Sequence, residues 1–193
     1  MWFEQVRNLL GASAVRRLAL RSGESAAGIL VPMYVADGEL MLLFTRRSES
    51  LPHHAGQYSF PGGVREEGDE DVVATALRET HEELGIEPGV VMVLGPLDDV
   101  RTPTGFLISP VVGALPYPFA ITRADREVDT VVHVPFLALA RPETAERQEF
   151  LFEGARVSVP VYHYDGHRIW GATARVVEDL VQRLTGSGKG RTT

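Results

Sequence analysis

Gly63-Val-Arg-Glu-Glu-Gly-Asp-Glu-Asp-Val-Val-Ala-Thr-Ala-Leu-Arg-Glu-Thr-His-Glu-Glu-Leu-Gly-Ile86 passes from a charged, glycine-containing loop into a helical pattern. Between Asp71 and Leu84, the positions Val73, Ala76, Leu77, Thr80 and Leu84 fall on one face of a helix, and Gly85 is a natural C-terminal stop. Glu79, Glu82 and Glu83 stand at i, i+3 and i+4 and share a second face. Like charges within one turn repel, and the C-terminal end of the helix dipole disfavours anions as well. A hard divalent cation bound through oxygen offsets both effects; the alternative is a solvated acidic face with Arg78 as counter-charge. Phe60-Pro61-Gly62-Gly63, just upstream, is a sharp loop able to bring backbone close to a ligand. Glu70 is placed to tie this loop to the helix through an ion pair with Arg78.

Working outward, residues 2–20 carry Phe3, Val6, Leu9, Leu10, Val15 and Leu18 at loose helical spacing, which predicts an amphipathic N-terminal helix. Apolar runs at 26–35 and 40–44 flank Asp37-Gly38 and read as two strands joined by a tight turn. Residues 48–56 read as a loop and 57–60 as a short strand. Further strands are expected at 90–94, 107–113, 128–134, 149–152, 157–162 and 167–170, with Asp165-Gly166 as another turn. A closing helix is expected at 172–184, with Ala174, Val177, Leu180, Val181 and Leu184 on its inner face. Many strands with two or three helices in mixed order predict an α+β fold, a mixed β-sheet sandwiched between α-helices. No linker splits the chain. The expected divisions are a helical N-terminal extension (1–24), one domain (25–185) and a flexible tail (186–193).

Composition removes several function classes. The 193 residues contain no cysteine, which excludes thiolate metal sites and cysteine nucleophiles. Eighteen of the 19 basic residues are arginine, and the single lysine, Lys189, sits in the tail, so lysine-based covalent catalysis is not expected. A net charge of −7 argues against general nucleic-acid binding and against anionic membrane surfaces. No run approaches the roughly 18 apolar residues of a membrane span, and the start has no signal-peptide pattern. A cytoplasmic protein acting on a small molecule is expected.

Taken together, Gly63 to Ile86 resembles the Nudix box: Gly, five residues, Glu, seven residues, then Arg-Glu-x-x-Glu-Glu-x-Gly and an apolar residue. The second half matches without gaps at Glu70, Arg78, Glu79, Glu82, Glu83, Gly85 and Ile86. The first half departs: six residues separate Gly63 from Glu70, and Thr80 replaces an aliphatic residue. Aligned ungapped from Gly63, Asp69 takes the loop Glu position instead. The resemblance implies the Nudix fold and hydrolysis of a nucleoside diphosphate linked to another moiety, with Mg²⁺ or Mn²⁺. It implies that Glu79, Glu82, Glu83 and the Gly63 carbonyl hold metal, with Arg78 part of the catalytic box.

Upstream, the run Leu42 to Gly63 resembles the motif of the coenzyme A pyrophosphatase branch of that family. Thr45, Arg47, Ser48, Gly56 and Phe60 to Gly63 match its spacing, Phe44 is an insertion, and Pro52 stands where the pattern has Arg. Thr102-Pro-Thr-Gly-Phe106 resembles a second element of the branch, and Ile169-Trp-Gly-Ala-Thr-Ala-Arg175 its C-terminal helix start. The implied substrate is coenzyme A or an acyl derivative. Arg46, Arg47, Ser48, Gln57, Phe60, Thr102, Gly105 and Phe106 are the expected substrate-contacting set, with core packing the other reading of Phe106. Arg46 and Arg47 offer the bidentate donors an extra phosphate needs. The general base is open among Glu83, Glu82, Glu127 and His81. Two rivals remain: a Nudix pyrophosphatase of another diphosphate such as ADP-ribose, and a catalytically silent nucleotide-binding module. A homodimer through the N-terminal helix, with Trp2 and Phe3, is one expected assembly; a cap on the core is the other use of that helix.

Overall fold

The computed structural model describes residues 1–48, 56–122, 128–152 and 154–186. The chain runs α1 (Trp2–Gly11), β1 (Ser25–Ala36), β2 (Glu39–Arg47), β3 (Tyr58–Ser59), β4 (Gly62–Val64) and α2 (Val72–Leu84). It continues with β5 (Met92–Pro96), β6 (Val100–Arg101), β7 (Phe106–Ala114), β8 (Val128–Pro135) and α3 (Phe136–Leu139). It closes with β9 (Ala145–Phe152), β10 (Ala155–Tyr164), β11 (His167–Ile169) and α4 (Gly171–Thr185).

The main sheet is mixed. β1 lies parallel to β7, with Ser25 opposite Phe106 and Met33 opposite Ala114. Its other edge carries β4 and then β2, both antiparallel. β2 pairs in turn with β8 and β3, and β7 with β5 and β6. Side chains alternate across a strand, so the two faces bury different sets. Val31, Met33, Leu42 and Phe44 join Val6 and Leu10 of α1 and Val177 and Leu180 of α4. Tyr34 and Leu43 join Leu84 at the end of α2. The sheet is thus sandwiched between helices, as the alternation predicts. β9, β10 and β11 form a second, antiparallel sheet.

Local differences from the sequence reading have physical causes. The N-terminal helix stops at Gly11 rather than reaching residue 20, because the backbone N–H groups of Arg16 and Leu18 donate to the Asp98 and Asp99 carboxylates. The Gly62-Gly63 segment is not only a loop: it adds β4 to β1. The strand expected at 90–94 begins two residues later, after a 3₁₀ turn at Pro88–Val90. β9 begins at Ala145, not 149, because the polar run Glu146-Arg147-Gln148 pairs with β10. α3 is a single turn that the sequence reading lacks.

α2 is where local chemistry sets position. Asp71 caps it, Oδ1 accepting from the N–H groups of Val73 (2.8 Å) and Ala74 (2.9 Å). Gly85 ends it at φ +68°. A Cβ on Gly28 of β1 would lie 2.2 Å from the Val72 carbonyl oxygen. The bare glycine therefore lets helix and strand touch, and this seats α2 on β1.

Candidate functional site

Glu79, Glu83 and Gly62-Gly63 come together because β4 runs beside α2. A Cβ on Gly63 would sit 2.4 Å from Glu79 Oε1, so the Gly63 backbone lies directly against that carboxylate. The Gly62 N–H donates to Glu83 Oε1 at 3.4 Å. Gly62 has φ +150°, and a Cβ there would meet the Gly28 carbonyl at 2.4 Å. Both glycines thus sit at close approaches, Gly62 to the β1 backbone and Gly63 to the Glu79 carboxylate.

Arg78 organises the acidic face. Its Nη1 lies 2.9 Å from Glu79 Oε1 and 3.2 Å from Glu82 Oε2, and Nη2 donates to the Val64 carbonyl at 3.2 Å. The expected tether from Glu70 is not what holds it. Asp69 is, accepting from Nε (3.0 Å) and Nη2 (3.1 Å) in a two-pronged pair. Glu70 is exposed and contributes its carbonyl to Arg65. Thr75, fully buried, donates to Asp69 Oδ2 at 2.9 Å, as does the Glu66 N–H. The Arg78 guanidinium and these donors hold the Asp69 carboxyl well below the usual carboxylate range. Burial pushes Glu79 up, and the adjacent Arg78 opposes that rise. The register with Asp69 was available as the ungapped alignment from Gly63. Thr75 was missed, since a lone threonine inside a helix gives no signal.

The remaining expected site residues fall into three places. The Arg47 N–H donates to the Gln57 carbonyl (2.9 Å), placing Arg47, Ser48 and Gln57 half-buried at the β2–β3 end. Arg46 is beside them and pairs with Asp129 at 3.3 Å. Phe60 does not line a surface: it is 3% exposed and stacks on Phe44 at 4.5 Å between ring centroids. It packs under the loop as part of the core. Thr102 and Gly105 make a tight turn on the far side of β1, followed by half-buried Phe106. His81 turns to Glu87 (3.1 Å) instead of joining the carboxylates. Glu127, the Pro52-His53-His54 segment and the tail with Lys189 lie outside the described residues.

Among the described residues, no three acidic or histidine side chains converge into a formed cation cage. The donors nevertheless suit a hard cation: Glu79 and Glu83 flank the Gly62-Gly63 backbone, and Glu82 is one turn away with Arg78 as exchangeable partner. No helix among the described residues is long and apolar enough to cross a membrane.

Comparison with known proteins gives concordant results. A family model described as "NUDIX domain" matches residues 24–166. A Photorhabdus laumondii protein named "Uncharacterized Nudix hydrolase NudL" is 36% identical over 158 residues, covering 82% of this chain and 84% of its own length. A Yersinia pestis protein of the same name is 35% identical over 162 residues, covering 82% and 79%. Among solved structures, a MutT protein from Methanosarcina mazei Go1 aligns with a TM-score of 0.54 at 19% identity, covering 89% of this chain and all of its own. A MutT/nudix family protein from Enterococcus faecalis aligns with a TM-score of 0.52 at 15% identity, covering 93% and 71%. At such identities these two structures speak for the fold alone.

Proposed function

The chain belongs to the Nudix family of pyrophosphohydrolases acting on nucleoside diphosphate derivatives, and within it we propose that the substrate is coenzyme A or an acyl-coenzyme A. Hydrolysis of the diphosphate gives 4′-phosphopantetheine, or its acyl form, and adenosine 3′,5′-bisphosphate. The observation that carries this reading is the disposition of Arg46 and Arg47. They sit at the end of β2, paired with β3, and β3 leads through Phe60-Pro61 straight into the glycines that touch Glu79 and Glu83. A diphosphate bearing one further phosphate is matched by planar cations on the strand end that leads into the acidic centre.

Nudix hydrolases work with divalent metal ions, here Mg²⁺ or Mn²⁺. Glu79, Glu82 and Glu83, with the Gly63 carbonyl, would hold the metal. When bound, it screens the diphosphate and lowers the pKa of a water. The protein's own residues supply positioning and charge, which is most of what phosphoryl transfer requires. Arg78 keeps Glu79 and Glu82 on one side of α2, anchored by Asp69. Glu83, or Glu82, orients the attacking water and takes its proton; Glu127 is the alternative base. The water oxygen bonds to one phosphorus, the bridging P–O bond breaks, and the other phosphate leaves with the bridging oxygen.

A panel of coenzyme A, dephospho-coenzyme A and ADP-ribose, assayed with Mg²⁺ and with Mn²⁺, tests the assignment. A charge-assisted phosphate contact is worth roughly 1.5–3 kcal/mol, so coenzyme A should exceed dephospho-coenzyme A in kcat/KM by about tenfold or more. Equal rates on both, or preference for ADP-ribose, would reject the coenzyme A reading.

A further inference from the structure

The stretch between α1 and β1 lies ahead of the matched family segment up to Glu24, its first matched residue, and it is bonded along its length to the residues leading into the 102–105 turn. The Asp99 N–H donates to the Arg16 carbonyl at 3.0 Å. The Arg16 N–H donates to Asp98 Oδ1 (2.9 Å), and the Leu18 N–H to Asp99 Oδ2 (2.8 Å). Arg17 pairs with Asp99, which is 2% exposed, at 2.5 Å. Arg101 donates through Nε and Nη2 to the two oxygens of Glu24, at 2.5 and 3.2 Å, and through Nη2 to the Ala19 carbonyl at 2.7 Å. The Ser25 N–H closes the series on the Gly105 carbonyl at 2.9 Å. The Glu24 and Arg101 side chains are only 11% and 14% exposed.

Anchoring α1 does not require these last contacts, since Val6 and Leu10 already bury it in the core. The Glu24–Arg101 and Ser25–Gly105 contacts land instead on the stem of a turn that is itself closed. The Thr102 N–H donates to the Phe106 carbonyl at 2.9 Å, and Gly105 takes φ +84°. By register, Ser25 faces Phe106 and Gly28 faces Gly63. The turn therefore stands about 10 Å along the strands from the Gly63 site and roughly two strand spacings, about 10 Å, across. That separation suits the far moiety of a dinucleotide-sized substrate.

We infer that Glu24 and Arg101 are positioning residues: the 12–24 strap holds the Thr102–Phe106 turn in the form that receives the part of the substrate remote from the diphosphate. The inference rests on the reading that this turn contacts substrate. Pre-organising such a surface lowers the cost of binding without touching the chemical step.

The test is steady-state kinetics on coenzyme A, and on ADP-ribose should that be the compound cleaved, for Glu24→Gln and Phe106→Ala. Arg147→Gln, which breaks the pair between Arg147 of the second sheet and Glu178 of α4, serves as control. Glu24→Gln should raise KM about fivefold with kcat within twofold of wild type, Phe106→Ala should raise KM as well, and Arg147→Gln should leave KM unchanged. Raised KM in Phe106→Ala with unchanged KM in Glu24→Gln would overturn the strap's role while sparing the turn's. Unchanged KM in both would overturn the turn as a substrate surface, and the strap's role with it. A KM rise of the same size in Arg147→Gln would mark the effect as general loss of structure and also overturn the proposal.

Discussion

Arg78 is the residue on which the acidic site turns, because it touches Asp69, Glu79, Glu82 and the Val64 carbonyl at once. Which carboxylate holds it was only half legible in the sequence. Box spacing favoured Glu70, but the helix begins at Asp71's cap, and Asp69, two residues before that cap, is the side chain that turns inward to Thr75 and Arg78. Asp69→Asn keeps the shape and removes the charge. It should lower kcat about 10–100-fold, the usual cost of losing a residue that orients a metal ligand. It should also change the pH dependence of stability. The folded carboxyl ionises well below its unfolded value of about 3.9, so its contribution is full above that value and fades as pH falls through the depressed one. Urea melts of wild type and variant should differ by a constant amount from about pH 7 to 5, and the gap should shrink below about pH 4. A gap that widens on acidification would contradict the pairing.

At the scale of elements, the strands and both long helices were legible wherever apolar periodicity was strong, as in β1, β2, β7 and α2. What the pattern could not carry was order imposed by contacts distant in sequence. β4 is made of Gly-Gly-Val and has no strand signature, yet β1 recruits it. The polar start of β9 and the single-turn α3 are set by their neighbours in the same way. Two glycines separate the demands of fold and of chemistry. A Cβ at Gly28 would strike the Val72 carbonyl at 2.2 Å and Ala76 N at 3.1 Å, which are backbone atoms that cannot swing away. Gly28→Ala should destabilise by about 1–3 kcal/mol in urea unfolding. A Cβ at Gly63 would strike only the Glu79 carboxylate, the end of a flexible side chain. Gly63→Ala should keep nearly wild-type stability and lose activity by about 10–100-fold. Equal stability losses in the two variants would refute the distinction.

Across the whole molecule, the N-terminal segment is joined to the C-terminal helix through Arg183, whose side chain is 2% exposed. It contacts Asp98 at 2.5 Å and Asp179 at 2.9 Å, and it donates to the Ser13 carbonyl at 3.3 Å. Composition could not reveal this. Arg183 sits in the sequence as a polar residue of an amphipathic helix, and its partners lie 85 and 170 positions away. Removing one partner of a buried network strands the others, so Arg183→Ala should cost roughly 3–5 kcal/mol in chemical denaturation. A loss under about 1 kcal/mol would mean the pairs are solvated, as surface pairs are.

The proposed activity comes down to one bond, the diphosphate linkage of coenzyme A. Purified protein incubated with coenzyme A and Mg²⁺ or Mn²⁺, with every product identified by mass, should release 4′-phosphopantetheine and adenosine 3′,5′-bisphosphate in equal amounts, and only when metal is added. Coenzyme A recovered intact while ADP-ribose is cleaved alongside it would contradict the assignment.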